Sequence, residues 1–326
     1  MKIVNSSHEI WKRPGNDESD ILRFIEKVGR VCYKSEDKIT DDSAEKFVGN
    51  IISRNHGAVL EHASLMFRMS LPTYNDIQHD VDYLAHCCGF KSFLRFTTDV
   101  MENYAIVSGN IRAWRDFIDA RIEWVGCIPG YLFSVINDYP RLFPEYTRGV
   151  PEELAEKFRV LNPITVDDLV MEDEFVVHYD ITMKFICDRG VTHEIVRHRP
   201  ASYAQESTRY CNYSGDKFGN EITVVAPSWC ETDTPAYDEW MNACLGAETR
   251  YIWMTQHLGC SPQEARSVLP TSTKAELVMT ASIGEFRHFF HLRTSSAAHP
   301  DIRALTIPAL AEIRTDDNIC MFFYDL

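Results

Sequence analysis

The sequence predicts an α+β fold: a central, mostly antiparallel sheet packed with helices, carrying an inserted subdomain. Two observations lead there. Strand-like and helix-like patterns are interleaved without a regular strand–helix–strand alternation. Residues about 72 to 174 also differ in character from their flanks, with Cys87-Cys88-Gly89, several prolines and Trp114-Arg115-Asp116-Phe117. The expected organisation is one domain over residues 1–326, with 72–174 inserted in it.

The elements follow from periodicity. Residues 18–33 place Ile21, Ile25 and Val28 on one helical face, widened by Leu22, Phe24 and Val31. A second helix is expected after Asp41-Asp42-Ser43, with Phe47, Ile51 and Ile52 inward. Leu65, Phe67, Met69 and Leu71 alternate as a strand does. The clearest alternation runs from Phe175 through Val177, Tyr179, Ile181 and Met183 to Phe185, so a strand is expected over 175–185. A short helix should follow Gly190 and lead to Arg197, and Ile222–Val225 reads as a strand. Residues 234–258 form a long helical pattern. Ser261-Pro262 sets a cap before a first-turn proline, so a helix should start there and stop near Pro270. Residues 283–293 and 301–313 read as two more helices. Asn110–Arg121 loosely echoes Ser282–Arg293 in its Trp/Phe-Arg-x-Phe spacing, by duplication or by chance.

Composition narrows the function. The formal net charge is −15, which argues against a general nucleic-acid binder. A local basic cluster can still capture a small anion. No run of 18 apolar residues is present, so no membrane span is expected. The N-terminal residues lack the apolar core of a signal peptide. The ten cysteines form no C-x-x-C pair; a reduced, cytoplasmic protein with small core cysteines is expected.

Within that acidic chain lies Arg197-His198-Arg199, followed after seven residues by Ser207 and closed by Arg209-Tyr210. Arginine presents a planar fork of donors that fits phosphate or carboxylate, so this segment suggests one focused anion site. Glu194, Arg197 and His198 share a face if 190–198 is helical; a plain surface ion pair would use the same spacing. Arg293 falls on the face of Phe286 and Phe290, where a buried guanidinium needs an anion or several acceptors. An internal carboxylate would satisfy it as well as a ligand. Arg266 lies in the short helix after Pro262, where a helix-surface role is the simpler reading. His56, Glu61 and His62 match no metal-ligand spacing, so no metal is expected. Walker A, G-x-G-x-x-G and G-x-S-x-G motifs are absent.

The pattern from Arg197 to Tyr210 resembles the signature of flavin-dependent thymidylate synthases. Gly29–Tyr33, His56–Ala63, His193–Tyr210, Ala265–Pro270 and Phe286–Arg303 resemble segments of that family, in its order. Residues 72–174 separate two segments that are nearly continuous there. The resemblance implies reductive methylation of dUMP to dTMP. Methylenetetrahydrofolate would supply the carbon, and FAD reduced by NADPH the hydride, in a homotetramer whose sites form between subunits. It implies dUMP contacts from Glu194, Arg197, Gln205, Glu206, Ser207, Thr208, Arg209, Arg266 and Arg293. It implies FAD contacts from Ala58, Arg197, His198, Arg199, Gln205, Ser282, Ile283, Gly284 and His288. Arg293 would favour ionisation of the uracil, with no covalent enzyme nucleophile. Ala58, Ala204 and Ala297 depart from the family pattern, and His299 lies two residues after the last of these. Two other readings are a related flavin- and folate-dependent methyltransferase acting on a modified uracil nucleotide, and an RNA-binding module. The acidic balance weighs against the second.

Overall fold

The computed structural model describes residues 1–326. The chain opens with strands β1 (Lys2–Val4) and β2 (Ser7–Trp11) and helices α1 (Glu18–Tyr33) and α2 (Ser43–Ser53). Then come β3 (Ser64–Ser70), α3 (Leu71–Cys88), β4 (Arg95–Asp99), β5 (Tyr104–Asn110) and α4 (Ile111–Val125). Short pieces follow: α5 (Phe133–Asp138), α6 (Glu152–Lys157), β6 (Asn162–Pro163) and α7 (Glu172–His178). The rest is β7 (Asp180–Asp188), α8 (Arg189–Ile195), β8 (Ser202–Gln205), β9 (Thr223–Val225), α9 (Pro235–Gln256), α10 (Pro262–Ala265), β10 (Lys274–Ser282), α11 (Ile283–Arg293) and α12 (Pro300–Ile313). Antiparallel pairings packed with helices make this an α+β protein. The strands divide between two four-stranded sheets and one parallel pair, β1 with β9.

The chain forms two compact units. The first comprises Met1–Lys12, Gly29–Glu36 and Ile181–Leu326; the second comprises Arg13–Val28 and Asp37–Asp180. The sheet of the first unit has the order β2-β7-β10-β8, with β2 antiparallel to β7 and β8 antiparallel to β10. Its core is aromatic. Phe286, Phe289 and Phe290 of α11 are fully buried, with Phe185 6.0 Å from Phe289 and Phe323 6.0 Å from Phe290. The first pair is tilted and the second meets edge to face, and such interlocking fixes the rotation of α11 about its axis.

The sheet of the second unit has the order β4-β5-β3-β6, antiparallel throughout. Phe67, Trp114 and Phe117 fill its core. His178 is wholly buried there, with Nδ1 2.7 Å from the Ser108 hydroxyl and Nε2 2.9 Å from that of Thr97. Burial and the neighbouring Arg95 push its pKa down to about 3.

Both sheets use the same junction between strand and helix. Strands β3, β5, β7 and β10 each run straight into a helix capped by the strand's last residue. The caps are Ser70, Asn110, Asp188 and Ser282. Asp188 Oδ1 accepts the N–H of Val191 at 2.8 Å, and Asn110 Oδ1 that of Ala113 at 2.8 Å. Each cap satisfies an otherwise unpaired helix donor at the point where extended backbone turns helical.

One expected element moved. The strand predicted over 175–185 begins only at Asp180, and Glu172–His178 is helical. Glu172, Asp173 and Glu174 crowd the first turn of that helix, where carboxylates are favoured. Glu174 also accepts the N–H groups of Val170 at 2.8 Å and Met171 at 3.2 Å. Those contacts outweigh the alternation that continues into β7.

Candidate active site

The first unit assembles most of the residues singled out above. Asp188 starts α8 and the helix ends at Ile195, earlier than the sequence suggested. Tyr203 holds that end, donating its hydroxyl to the carbonyls of Ile195 at 3.0 Å and His198 at 2.8 Å. The end of the helix separates Arg197 from the face of Glu194. Arg197 and Arg199 are exposed, while His198 is buried.

His198 turns inward to meet Arg293. The guanidinium Nε donates to His198 Nε2 at 2.9 Å, Nη1 to Glu194 Oε2 at 2.9 Å, and Nη2 to the Glu194 carbonyl at 3.0 Å. The internal carboxylate is therefore found. Arginine carries five N–H donors and no acceptor. Three are engaged here, and His198 must offer an unprotonated Nε2. Burial, then Arg293 and His288, push the His198 pKa down to about 4, so the ring is neutral near pH 7. Phe289 meets its ring edge-on at 5.0 Å. His288 lies beside it at 5.8 Å, itself exposed.

The segment after β8 forms a turn. Ser207 N donates to Cys32 O at 3.1 Å, and Ser207 O accepts from Tyr210 N at 3.1 Å and Cys211 N at 3.0 Å. Ser207 Oγ accepts the N–H of Arg209 at 3.3 Å. Arg209 is exposed, with its guanidinium 5.5 Å from the Tyr210 ring centre, and Tyr210 stands 5.5 Å from Tyr33. Thr208 is buried. Gln205 donates to the Thr192 hydroxyl at 3.0 Å. Arg266 opens a 3-10 turn, exposed. Its predecessor Ala265 shares a core cluster with Cys211 and Tyr213, so this turn and the Ser207–Cys211 turn rest on the same packing.

Glu206 differs from its neighbours. Its side chain is turned inward, and its carboxylate pairs with Lys274 at 2.8 Å and accepts from Tyr213 at 3.2 Å. Ser282 caps α11, Ile283 is buried and Gly284 half-buried in the first turn. Ala58 belongs to the second unit, in the 3-10 turn Gly57–His62. Of the departures from the family pattern, Ala204 is buried opposite Val278. His299 caps α12 by accepting the N–H of Asp301 at 3.2 Å.

Ion pairing divides the arginines of the chain into two groups. Arg95, Arg115, Arg121, Arg141, Arg159 and Arg287 all form ion pairs. The guanidiniums of Arg197, Arg199, Arg209 and Arg266 take part in no ion pair or hydrogen bond within the chain, and neither do those of Arg54, Arg148, Arg250 and Arg303. Sequence reading missed Arg189, Lys274 and Glu276. Arg189 Nη2 donates to the Glu206 carbonyl at 3.0 Å. Lys274 and Glu276 stand two apart on one strand, hence on one face, and that spacing was a signal available in the sequence. Cys211, the cysteine nearest the arginine motif, is buried, and desolvation followed by Glu206 pushes its thiol up to about 12. A thiol held protonated is a poor nucleophile.

Parts of the chain are similar to known proteins. The flavin-dependent thymidylate synthase of Pyrococcus furiosus is 34% identical over 134 residues, which are 41% of this chain and 53% of that one. The enzyme of Pyrococcus abyssi is 35% identical over 134 residues, with the same shares covered. That of Geobacter sulfurreducens is 32% identical over 126 residues, 39% of this chain and 52% of its own. The chain thus matches about half the length of these curated relatives. A family model described as thymidylate synthase complementing protein matches residues 17–74 and 172–316, more than half of the chain. Those residues hold β7, α8, the Ser207 turn and α11, and with them every contact described around Arg293: the chain belongs to the thymidylate synthase complementing protein family.

Proposed function

We propose that this chain methylates dUMP reductively to dTMP, with methylenetetrahydrofolate as carbon donor and a flavin, FAD reduced by NADPH, as hydride carrier. The observation that carries this is the unpaired state of four guanidiniums in the matched segments: Arg197 and Arg199 flank His198 of the Arg293–His198–Glu194 cluster, and Arg209 and Arg266 lie on the two turns that share one core cluster. In a chain of net charge −15, cations left without carboxylates suit ligands bringing their own negative charge. The nucleotide supplies one phosphate and FAD a pyrophosphate.

The division of roles follows the resemblance. Gln205, Ser207, Thr208 and Arg209, with Arg266, would take the dUMP phosphate and sugar, Glu206 would support that cradle with its carboxylate turned inward to Lys274, and Glu194 and Arg197 would also contact dUMP. Arg197, Arg199, His198, Gln205, His288 and the start of α11 at Ser282–Gly284 would hold FAD; the resemblance adds Ala58, through its backbone only. The exposed, unpaired Arg197 and Arg199 and the N-terminal turn of α11 fit a group that carries phosphates. FAD, when bound, supplies hydride for reducing the transferred carbon to a methyl group.

Arg293 has two N–H donors beyond the three used internally. Directed at the uracil, they would stabilise charge developing on the ring and make C5 nucleophilic. Glu194 and His198 hold the guanidinium fixed, so no reorganisation is needed when the charge appears. His198 is neutral and accepts from Arg293, so it does not compete for that charge. No thiolate is called for, in keeping with the state of Cys211.

Assembly as a homotetramer, a cytoplasmic location and an inserted character for residues 72–174 belong to the same proposal; the family model leaves 75–171 unmatched. The test is dTMP formation from dUMP, methylenetetrahydrofolate and NADPH, with and without added FAD, on protein whose flavin absorbance is recorded. Flavin-dependent product is expected. A colourless protein that neither gains flavin nor forms dTMP would overturn the reading.

A further inference from the structure

We propose that Lys274 and Glu276 are positioning residues for the anion loop Ser207–Arg209, acting through the buried carboxylate of Glu206. The inference rests on the reading of that loop as the phosphate-binding element.

Glu206 immediately precedes the loop and is held by three hydrogen bonds and one ion pair. Its N–H donates to the Glu276 carbonyl at 2.8 Å, which continues the β8–β10 ladder by one rung. Its carbonyl accepts from Arg189 Nη2 at 3.0 Å. One carboxylate oxygen accepts from the Tyr213 hydroxyl at 3.2 Å, and the other pairs with Lys274 Nζ at 2.8 Å. The loop begins one residue later, tied to Cys32, and its own internal bonds converge on Ser207. A rotation at Glu206 would therefore carry Ser207, Thr208 and Arg209 with it.

Lys274 is flexible by nature, and the structure holds it from its far side. Its ammonium lies 2.8 Å from Glu276 Oε1 as well. Glu276 in turn pairs with Lys34 at 2.7 Å and Lys184 at 2.9 Å. Those two lysines reach Glu36 at 3.0 Å and Glu9 at 3.4 Å. Three lysines hold the Glu276 carboxyl down at about 2, so it stays charged throughout the working range.

Burying Glu206 opposes folding unless something is gained, since apolar residues of similar size usually serve stability as well. What the pair supplies here is register and charge balance. Lys274 neutralises a carboxylate that would otherwise sit beneath the loop and repel a phosphate. With that carboxylate paired to Lys274, the Arg209 guanidinium is left unshared.

The experiment compares Lys274→Met, Glu206→Gln and the double variant, with Lys274→Arg as the conservative replacement. Each is measured for dUMP KM, kcat, deoxyuridine inhibition and melting temperature. Lys274→Met should raise the dUMP KM roughly tenfold or more, as expected for losing one charged partner. The value of kcat should fall much less, and deoxyuridine, which has no phosphate, should bind as before. Lys274→Arg should recover most of the loss, and the double variant should be milder than the two singles combined. Should Lys274→Met fail to fold, Tyr213→Phe removes one handle of Glu206 and should raise the dUMP KM alone. Equal loss for dUMP and deoxyuridine, or lowered stability with an unchanged KM, overturns the inference. Arg209→Ala is run beside them. If Arg209→Ala weakens dUMP and Lys274→Met does not, positioning alone has failed. If Arg209→Ala has no effect, the phosphate reading itself has failed.

Discussion

The two units share a frame and differ in where one helix stops. Read from β8, the first sheet runs β8-β10-β7-β2; the second runs β4-β5-β3-β6, and the inner strands of both lead directly into capped helices. Helices α4 and α11 also correspond along their length. Ile111 matches Ile283, Trp114 Phe286, Arg115 Arg287, Phe117 Phe289 and Arg121 Arg293. Of these last-matched arginines, Arg293 ends α11 and Arg121 stands four residues before the end of α4. Both meet a carboxylate of a helix that follows an inner strand: Arg121 meets Asp80 of α3 at 2.7 Å, and Arg293 meets Glu194 of α8 at 2.9 Å. Yet α3 continues to Cys88, whereas α8 ends at Ile195 and releases the chain into Arg197–Arg199. Between β4 and β5 the second unit has only residues 100–103; between β8 and β10 the first has 206–273, which include the Ser207 turn and Arg266. The frame gives stability in both units. The shortened helix and the long excursion carry, in one unit, the residues that the proposed function uses.

The sharpest way to break this contrast is to remove each arginine in turn. Arg293→Ala is expected to lose about 100- to 1000-fold in kcat, the usual cost of one preorganised donor, with flavin and dUMP still bound. Arg121→Ala breaks a buried pair and should cost on the order of 3–5 kcal/mol of stability, while the folded fraction turns over normally. Tyr131 also donates to Asp80, so that carboxylate is left with one partner. Comparable kcat losses in folded samples of both variants would mean that the units are not functionally distinct.

A second contrast sets the anion loop against flavin binding within the first unit. Arg209→Ala should weaken dUMP by roughly ten- to a hundredfold and FAD far less, since a charge-assisted phosphate contact is lost. Titration showing equal losses for dUMP and deoxyuridine would remove the phosphate role.

The buried histidine of the second unit gives a pH test. His178 titrates near 6.5 when unfolded and near 3 when folded. The unfolded chain takes up the proton first, so stability is complete above about pH 6.5 and is lost as pH falls toward 3. The shift corresponds to at most about 5 kcal/mol at the acid end. Unfolding midpoints measured between pH 7 and 4 should fall less steeply for His178→Gln than for the parent. Parallel curves would exclude His178 as a source of the acid sensitivity.

The smallest effect is expected at Cys211. Cys211→Ser should keep substantial dTMP synthesis, with a stability loss on the order of 1–3 kcal/mol from burying a hydroxyl. A trapped adduct between Cys211 and the nucleotide, or abolished turnover with both ligands bound, would reopen covalent catalysis.

Local signals carried much of the architecture into the sequence. The apolar stripe of α1, the Ser261-Pro262 start and the phenylalanines of α11 are periodic or capping patterns that need no distant partner. What was illegible depends on partners far away in the chain. The end of α8 at Ile195 is fixed by the Tyr203 hydroxyl, and no residue within 190–198 announces it. Glu206 reads like its polar neighbours until Lys274, 68 positions later, turns it inward. The strand expected from 175 failed for the opposite reason: a first turn of three carboxylates is a local signal, and alternation masked it. Of the site, the arginine motif stood out because like charges cluster there. The residues holding it in place did not, being ordinary lysines and glutamates on strands and loops.

The four unshared guanidiniums have a kinetic consequence. At long range an approaching nucleotide senses the whole chain, formally −15, and is repelled; only close in does it sense Arg209 and its neighbours. Screening acts on these two fields at different distances. Raising ionic strength from about 0.01 M to 0.1 M shortens the Debye length from about 30 to 10 Å, which removes the distant repulsion before the near attraction. Capture of dUMP should therefore quicken with the first additions of salt and slow only at higher concentrations, the reverse of the monotonic slowing seen when a uniformly basic protein captures an anion.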